Sequence, residues 1–514
     1  MAFTVSSIGK KTVRNAAWLY GQKILTKIFG LVSIAILARQ LPPSDFGIVS
    51  LAAVLMSFIT LSTSASVGPY VINNRDEGFE KRDQSAFWLN MVFAIIVVSI
   101  YWCLIPYITE FYGVPLLKPI LLVLSIKLIF AQLSIVPDSI VRRNLNYNQL
   151  VIRDTTLNFI SVVLSIVMAL NEFGVWSLIL PDLLISIPRF FIILRMSKWK
   201  PKLTFETHTW KEIIKFSKYI VGSTLLGGLI NDGDTMVLGR IIGTEQLGFY
   251  DRSWRTANLV SSNVVSVVGD ISQPAFSALT KTHERLQNAY KKTVRNISLI
   301  SFPLLIGMFV LADEMILTIY GPNWTSSILL LRIFIIFALQ RAVFSTTGTI
   351  YNVMKRPDIG FKLNIVQLPF YFAAILIGNI YGIVGITIGV TLVRTIFGFI
   401  TMYLSCKLID ISTLSTIKSF IPSLLISLLM GMILFVTKWL ISPFVLTSPI
   451  VGLLIYSFGG IIIYTALLII FFPKLLFEII NIIGNLSTKL ATYLMRVFKK
   501  RLSSIQNSNF GHDT

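Results

Sequence analysis

The sequence predicts an all-α polytopic membrane protein with fourteen transmembrane helices. These form two parallel-repeat six-helix bundles plus two extra helices. Three observations predict this. Of 514 residues, 54% are hydrophobic and only 13% charged, against about 25% charged in a soluble domain. The mean hydropathy is +0.75, and the apolar residues fall in runs of about 20, the length that crosses a bilayer as a helix. The loops between runs alternate between rich and poor in Lys and Arg. A soluble enzyme is excluded, because a chain of this size would need far more polar surface.

The runs lie, in order, at about 13–38, 46–71, 85–109, 116–137, 154–170, 174–194, 212–238, 247–269, 294–312, 326–350, 363–379, 381–405, 417–437 and 446–472. The first, seventh and eighth carry charges. The first is long and has no small-residue cleavage site after a short core, so it reads as a retained helix rather than a signal peptide. The net charge is +21, from 45 Lys+Arg against 24 Asp+Glu. In a soluble protein that balance would suggest nucleic acid, but in a membrane protein it marks cytoplasmic loops. With the N-terminus in the cytoplasm, 33 basic residues fall on cytoplasmic segments, four on external loops (Arg39, Lys118, Arg240, Lys438) and eight within spans. An even number of spans then places both termini in the cytoplasm. The external loops leave no room for a folded external domain.

The expected organisation follows. Residues 1–197 form an N-terminal six-helix lobe, 198–211 a basic cytoplasmic linker and 212–407 a C-terminal six-helix lobe. Residues 408–472 supply two additional helices. Residues 473–514 form a basic tail, in which 475–497 reads either as an interfacial amphipathic helix or as a solubilising extension. Cys103 and Cys406 lie in apolar runs and the three histidines are scattered, so neither a disulfide framework nor a metal site is expected. No P-loop motif occurs.

The two lobes are expected because the sequence repeats. Ala38-Arg39-x-Leu41, followed by Phe46-Gly47, recurs as Gly239-Arg240-x-Ile242, followed by Leu247-Gly248. Tyr112-Gly113 recurs as Tyr320-Gly321. Asn171-x-x-Gly174 recurs as Asn379-x-x-Gly382. Because six is even, both copies enter the membrane from the same side. Transporters built this way bind substrate between the halves and alternate access by rocking one half against the other.

Charges inside the spans are the candidate functional residues, since a charge near the bilayer centre is costly and usually faces a polar cavity. Lys23 and Lys27 lie i,i+4 on one face of the first span. They suit either an anionic ligand or internal ion pairs. Asp232 and Asp234 sit in a glycine-rich stretch of span seven (Gly227, Gly228, Gly233), where a bend or local unwinding is expected. They suit either a gate or cation site, or ion pairs that lock one state. Asp251, Arg252 and Arg255 open span eight, the arginines either lining a cavity or snorkelling to the interface. Lys127, Arg332, Arg341 and Arg394 are single charges in other spans, open to the same two readings. Arg39 and Arg240 each precede an acid (Asp45, Glu245) and are expected to brace equivalent turns.

These stretches, taken with Arg142-Arg143-x-Leu145-x-Tyr147, Phe173-Gly174-Val175-Trp176-Ser177-Leu178, Leu247-Gly248-x-Tyr250-x-x-x-x-Arg255-x-x-Asn258-Leu259 and Gln273-Pro274-Ala275-Phe276-Ser277, resemble a known family. It is the polysaccharide transporter branch of the multidrug/oligosaccharidyl-lipid/polysaccharide exporter superfamily, Wzx-type flippases that include colanic-acid and teichuronic-acid exporters. The resemblance covers about residues 10 to 410. It implies two six-helix bundles facing each other in a V. It also implies flipping of undecaprenyl-pyrophosphate-linked oligosaccharide repeat units across the bacterial cytoplasmic membrane for O-antigen, capsule or exopolysaccharide synthesis. Relatives that flip lipid-linked peptidoglycan precursor carry basic residues on the first helix, and Lys27 stands at a comparable place. The sequence departs from many relatives in having Val260-Ser261 where they often have proline, which puts a kink in span eight in doubt.

The expected partners are thus the lipid-linked oligosaccharide and membrane lipids, with a polysaccharide polymerase and chain-length regulator as further candidates, and no nucleic acid. No cofactor is expected beyond coupling to H+ or Na+. Lys23, Lys27, Arg252 and Arg255 are the substrate-binding candidates. Asp232, Asp234 and Asp251 are the gate or coupling candidates. Two alternatives stand beside this reading. An ion-coupled drug or metabolite antiporter of the same fold would want an acidic cavity. A membrane glycosyltransferase or polymerase would want a large external catalytic loop.

Overall fold

The computed structural model describes the backbone of residues 5–64, 67–73, 79–144, 147–280, 282–445 and 448–471. The expected tail at 473–514 lies outside the described residues. The described residues contain helices and no strands. In the N-terminal half the helices are α1 (Val5–Gln40), α2 (Pro43–Ser64), α3 (Val67–Asn73), α4 (Phe79–Tyr112), α5 (Leu117–Arg143), α6 (Tyr147–Leu170) and α7 (Leu180–Ser197). The C-terminal half comprises α8 (Thr207–Ile241), α9 (Gly243–Leu279), α10 (His283–Val310), α11 (Ala312–Ile319), α12 (Ser326–Phe344), α13 (Thr347–Val353), α14 (Pro357–Gly378) and α15 (Gly382–Leu408). The appended pair is α16 (Thr413–Val445) and α17 (Pro449–Phe471).

Eleven segments among the described residues are long and apolar enough to cross a membrane. One of them, 357–408, contains both α14 and α15, broken at the 3-10 turn Asn379–Tyr381. Helices α8 and α9 span 35 and 37 residues, long enough to cross, though neither is among the eleven. Large apolar side chains point outward along α4 (Ile95, Trp102, Tyr107) and along the appended pair (Trp439, Phe458, Ile462). That arrangement suits a lipid solvent, where backbone polar groups are satisfied within each helix.

The repeated glycines share a backbone conformation. Gly113 and Gly321 both have positive φ, as do Gly174 and Gly382. In each pair a left-handed residue ends one element and starts the next, a conformation that costs glycine little. Span seven does not unwind at its glycines, contrary to the expectation. Helix α8 stays α-helical through 227–234, with the Asn231 amide donating to the Gly227 carbonyl at 2.8 Å. Helix α9 likewise runs unbroken through Val260-Ser261.

The halves meet where α2 crosses α9. A Cβ on Gly47 would overlap the Thr244 carbonyl oxygen, and a Cβ on Gly248 would overlap that of Pro43. The two contacts are reciprocal across the repeat, as at a two-fold interface. Around them one core contains Leu37, Phe46 and Leu51 from the first half and Leu247, Trp324 and Phe334 from the second. At the same end Arg39 donates to the Thr318 carbonyl at 2.7 Å. Trp324 Nε1 donates to the Ala38 carbonyl at 2.9 Å, and the Arg240 guanidinium lies over the Phe111 ring at 5.5 Å. Arg39 and Arg240 therefore tie each half to the other rather than only bracing their own turns.

Toward the other end, the linker and the start of α8 rest on the first half. Trp88 Nε1 donates to the Lys202 carbonyl at 2.8 Å, Trp210 Nε1 to the Ser85 carbonyl at 3.0 Å, and Ile213 joins the core of Val71 and Phe87. Helix α8 thus begins on the N-terminal half, and Tyr112 of that half also donates to the Met236 carbonyl near its end, at 3.1 Å. The appended pair packs on α10 and α11. Tyr464 donates to the Leu299 carbonyl at 2.8 Å, and Lys438 pairs with Glu314 at 2.9 Å.

Candidate functional site

The charges within the membrane segments sort by partner. Lys127 pairs with Asp182 at 2.8 Å, and Arg332 with Asp313 at 2.8 Å. Arg252 and Arg255 converge on Asp251, at 2.6 and 2.8 Å. Asp251 is 4% exposed while Arg255 remains 52% exposed. Arg252 also lies over the Phe46 ring at 5.2 Å, across the boundary between halves. The predicted trio therefore forms one cluster on α9, next to the α2 crossing. Its buried carboxylate balances one of its two cations.

Asp234 is at the centre of a second cluster. Its carboxylate accepts from the Tyr250 and Tyr371 hydroxyls, both at 2.8 Å, and from the Thr235 backbone N–H at 2.9 Å. Arg394 stands 3.7 Å from it and donates to the Tyr371 hydroxyl. The Arg394 guanidinium lies over the Trp254 ring at 4.3 Å and the Tyr371 ring at 4.9 Å. A buried charge persists only when paired and hydrogen-bonded, and here four helices supply the partners: α8, α9, α14 and α15. Asp232, two residues away, turns to a different face. It is half-buried, with Asp234, Arg255, Asp251 and Arg394 as the charges around it.

Lys23 and Lys27 are both exposed on α1. Phe29 packs on Phe159 of α6 at 5.3 Å, and Ser33 is buried on the same side. Leu25, Ile28 and Val32 form a separate exposed apolar face. At 3.6 residues per turn the lysines lie about 150° round the helix from that face. The helix thus offers one side to α6, one apolar side suited to lipid and a third that carries both cations.

Sequence reasoning missed two features. Arg394 was read only as a single charge, because its carboxylate is 160 positions away in sequence. The second is a cavity of about 480 Å³ between α5, α6 and α7, in which charges alternate in sign. Arg153 pairs with both Asp138 and Asp154, at 3.0 and 2.9 Å. Asp138 also holds Arg142, and Lys127–Asp182 lies in the same wall. The sequence signal was the set of acids at the end of span four, the start of span five and inside span six, which basic-residue counting does not weigh.

Comparison with known proteins adds the following. A family model described as polysaccharide biosynthesis protein matches residues 36–329. The lipopolysaccharide biosynthesis protein WzxC of Escherichia coli (strain K12) is 23% identical over 78% of this chain and 82% of its own. The teichuronic acid biosynthesis protein TuaB of Bacillus subtilis (strain 168) is 21% identical over 84% of this chain and 89% of its own. Among solved structures, the lipid II flippase MurJ in an inward closed conformation superposes with a TM-score of 0.73 at 16% identity. It covers 90% of this chain and 100% of that one. A likeness at that identity establishes a shared fold.

Proposed function

The chain belongs to the polysaccharide biosynthesis protein family, and from that premise we propose that it is a flippase for lipid-linked oligosaccharide repeat units. In this reading it moves an undecaprenyl-pyrophosphate-linked saccharide from the inner to the outer leaflet of a bacterial cytoplasmic membrane, for O-antigen, capsule or exopolysaccharide synthesis. The observation that carries it is the reciprocal Gly47–Gly248 crossing. Two equivalent halves meet through a small, near-symmetric contact that rocking can break and remake.

The residues then take definite parts. Lys23 and Lys27, on the side of α1 away from its apolar face, are placed to meet the pyrophosphate or acidic sugars through charge-assisted hydrogen bonds. Arg255, half-exposed beside Asp251, is a further candidate cation for the same role. Of the three aspartates once open to a coupling ion, Asp234 and Asp251 are held by arginines. Asp232 is left as the candidate for H+ or Na+. The same pairing works against a drug antiporter, since it takes up two of the three carboxylates that cationic drugs would need. No covalent step is required of the chain. A polymerase and a chain-length regulator are the partners this role would have.

The test is a clean deletion, with surface glycan and lipid-linked intermediate measured together. The expected outcome is loss of the glycan and accumulation of intermediate on the cytoplasmic leaflet. Normal surface glycan in the deletion would sink the proposal.

A further inference from the structure

Arg341, on α12, stands apart from the other arginines within the membrane segments. Its Nη1 donates to the Asn258 side-chain oxygen at 2.8 Å, and among the described residues it forms no ion pair. The charge that acts on it is that of Arg394, of like sign, and Arg394 is already satisfied by Asp234 and Tyr371. Arg341 opens on a cavity of about 240 Å³ in the C-terminal half, lined also by Arg394, Asn231, Gln340, Gln367, Phe344 and Phe397.

The rest of the wall is suited to a sugar. Gln340 is fixed in place. Its Nε2 reaches the Thr395 carbonyl at 3.4 Å, and its amide lies against Gly398, where a Cβ would overlap it. Its Oε1 is buried without a hydrogen-bond partner, which costs about 1–3 kcal/mol. Asn231 and Gln367 supply further amides, and Phe344 and Phe397 supply apolar surface. Amides that bind hydroxyls beside aromatic rings that cover C–H faces are the ordinary means of holding a sugar ring. A neutral sugar would leave the guanidinium without a counter-charge. A pyrophosphate would leave the amides and rings unused and carry more charge than Arg341 balances, since Arg394 in the same wall is already held by Asp234.

We infer that this cavity is a subsite for one monosaccharide residue bearing a carboxylate, with the carboxylate on Arg341 and ring hydroxyls on Asn231 and Gln367. The inference rests on the flippase reading and narrows it: the carried oligosaccharide contains an acidic sugar. Arg341 is then a specificity-determining residue, because bidentate pairing with a planar carboxylate is what a guanidinium provides and an ammonium does not.

The test is binding to the purified full chain in detergent, by calorimetry, with D-glucuronate, D-glucose and inorganic pyrophosphate as separate probes. Wild type should bind glucuronate more tightly than glucose. Arg341→Gln should lose at least ten-fold in glucuronate affinity and leave glucose unchanged. Pyrophosphate binding should be the same in both proteins. If Arg341→Gln fails to fold, Arg341→Lys carries the test and should weaken glucuronate several-fold. Equal glucuronate affinity in wild type and the folded variant would overturn the inference. So would loss of pyrophosphate binding in place of glucuronate binding. Either outcome leaves the deletion phenotype untouched, so failure here is distinguishable from failure of the flippase reading.

Discussion

Gly47 of α2 and Gly248 of α9 lie back to back, each without room for a Cβ because the other helix's backbone fills the space. The carbonyls they meet, Thr244 and Pro43, stand four residues before Gly248 and Gly47 respectively. The contact therefore repeats itself under exchange of the two halves. Small residues that let backbones approach are how helices associate in lipid, where burial of apolar surface offers no drive. This crossing holds the halves together at one end with little side-chain bulk between them.

Gly248→Ala should therefore push α2 and α9 apart. Overpacking of this kind costs about 1–3 kcal/mol, to be read as a lowered midpoint of thermal unfolding in detergent together with reduced surface glycan. Gly47→Ala should behave alike. The double variant should cost less than the sum of the two, because both act on one contact. Gly222→Ala, which meets nothing within 4 Å, serves as the control and should be near neutral.

The Asp234–Arg394 pair should behave as a structural ion pair. Removing one partner of a buried pair costs about 3–5 kcal/mol, because the other charge is left unpaired. Arg394→Gln should destabilise by that order in thermal unfolding. Asp234→Asn combined with Arg394→Gln should recover part of the loss. Recovery would exclude Asp234 as a coupling-ion site whose charge must be kept, whereas a double variant worse than either single one would favour that role.

Reversing both α1 cations, Lys23→Glu with Lys27→Glu, should lower transport without unfolding the protein, since both side chains are exposed. A charged hydrogen bond contributes about 1.5–3 kcal/mol, and about 1.4 kcal/mol is ten-fold. At least a ten-fold fall in flipping of the lipid-linked intermediate is expected. Full activity would end the claim that these lysines touch substrate.

Arg39→Ala should loosen the end of the molecule where Arg39 reaches Thr318. In a background with Cys103 and Cys406 replaced, a single cysteine at Ser50, buried beside the crossing, reports on opening. Labelling by an external thiol reagent should rise several-fold in Arg39→Ala. The same rise from the cytoplasmic side alone would reverse the orientation assigned to this end.

Much of the architecture was legible in the sequence. Apolar run length marked most spans, and the repeated glycines marked equivalent turns, because only a left-handed turn residue tolerates that backbone at Gly113, Gly174, Gly321 and Gly382. The glycine-rich stretch of α8 misled. Glycine lowers helix propensity, but packing against neighbouring helices overrides that preference, and α8 remains helical.

Composition, run length and basic-residue alternation are local properties, so the sequence by itself determined a polytopic, doubled helical protein with a cationic character. Which cations keep their charge available is not local. Arg394 lost its availability to an aspartate in another helix, and Arg252 and Arg255 share a carboxylate that burial makes decisive. Arg341, with the same side chain, donates to the Asn258 amide oxygen and forms no ion pair among the described residues. The tertiary structure alone decided these outcomes, because the strength of a charge interaction in a membrane protein depends on distance and desolvation. Both are set by which helices pack together.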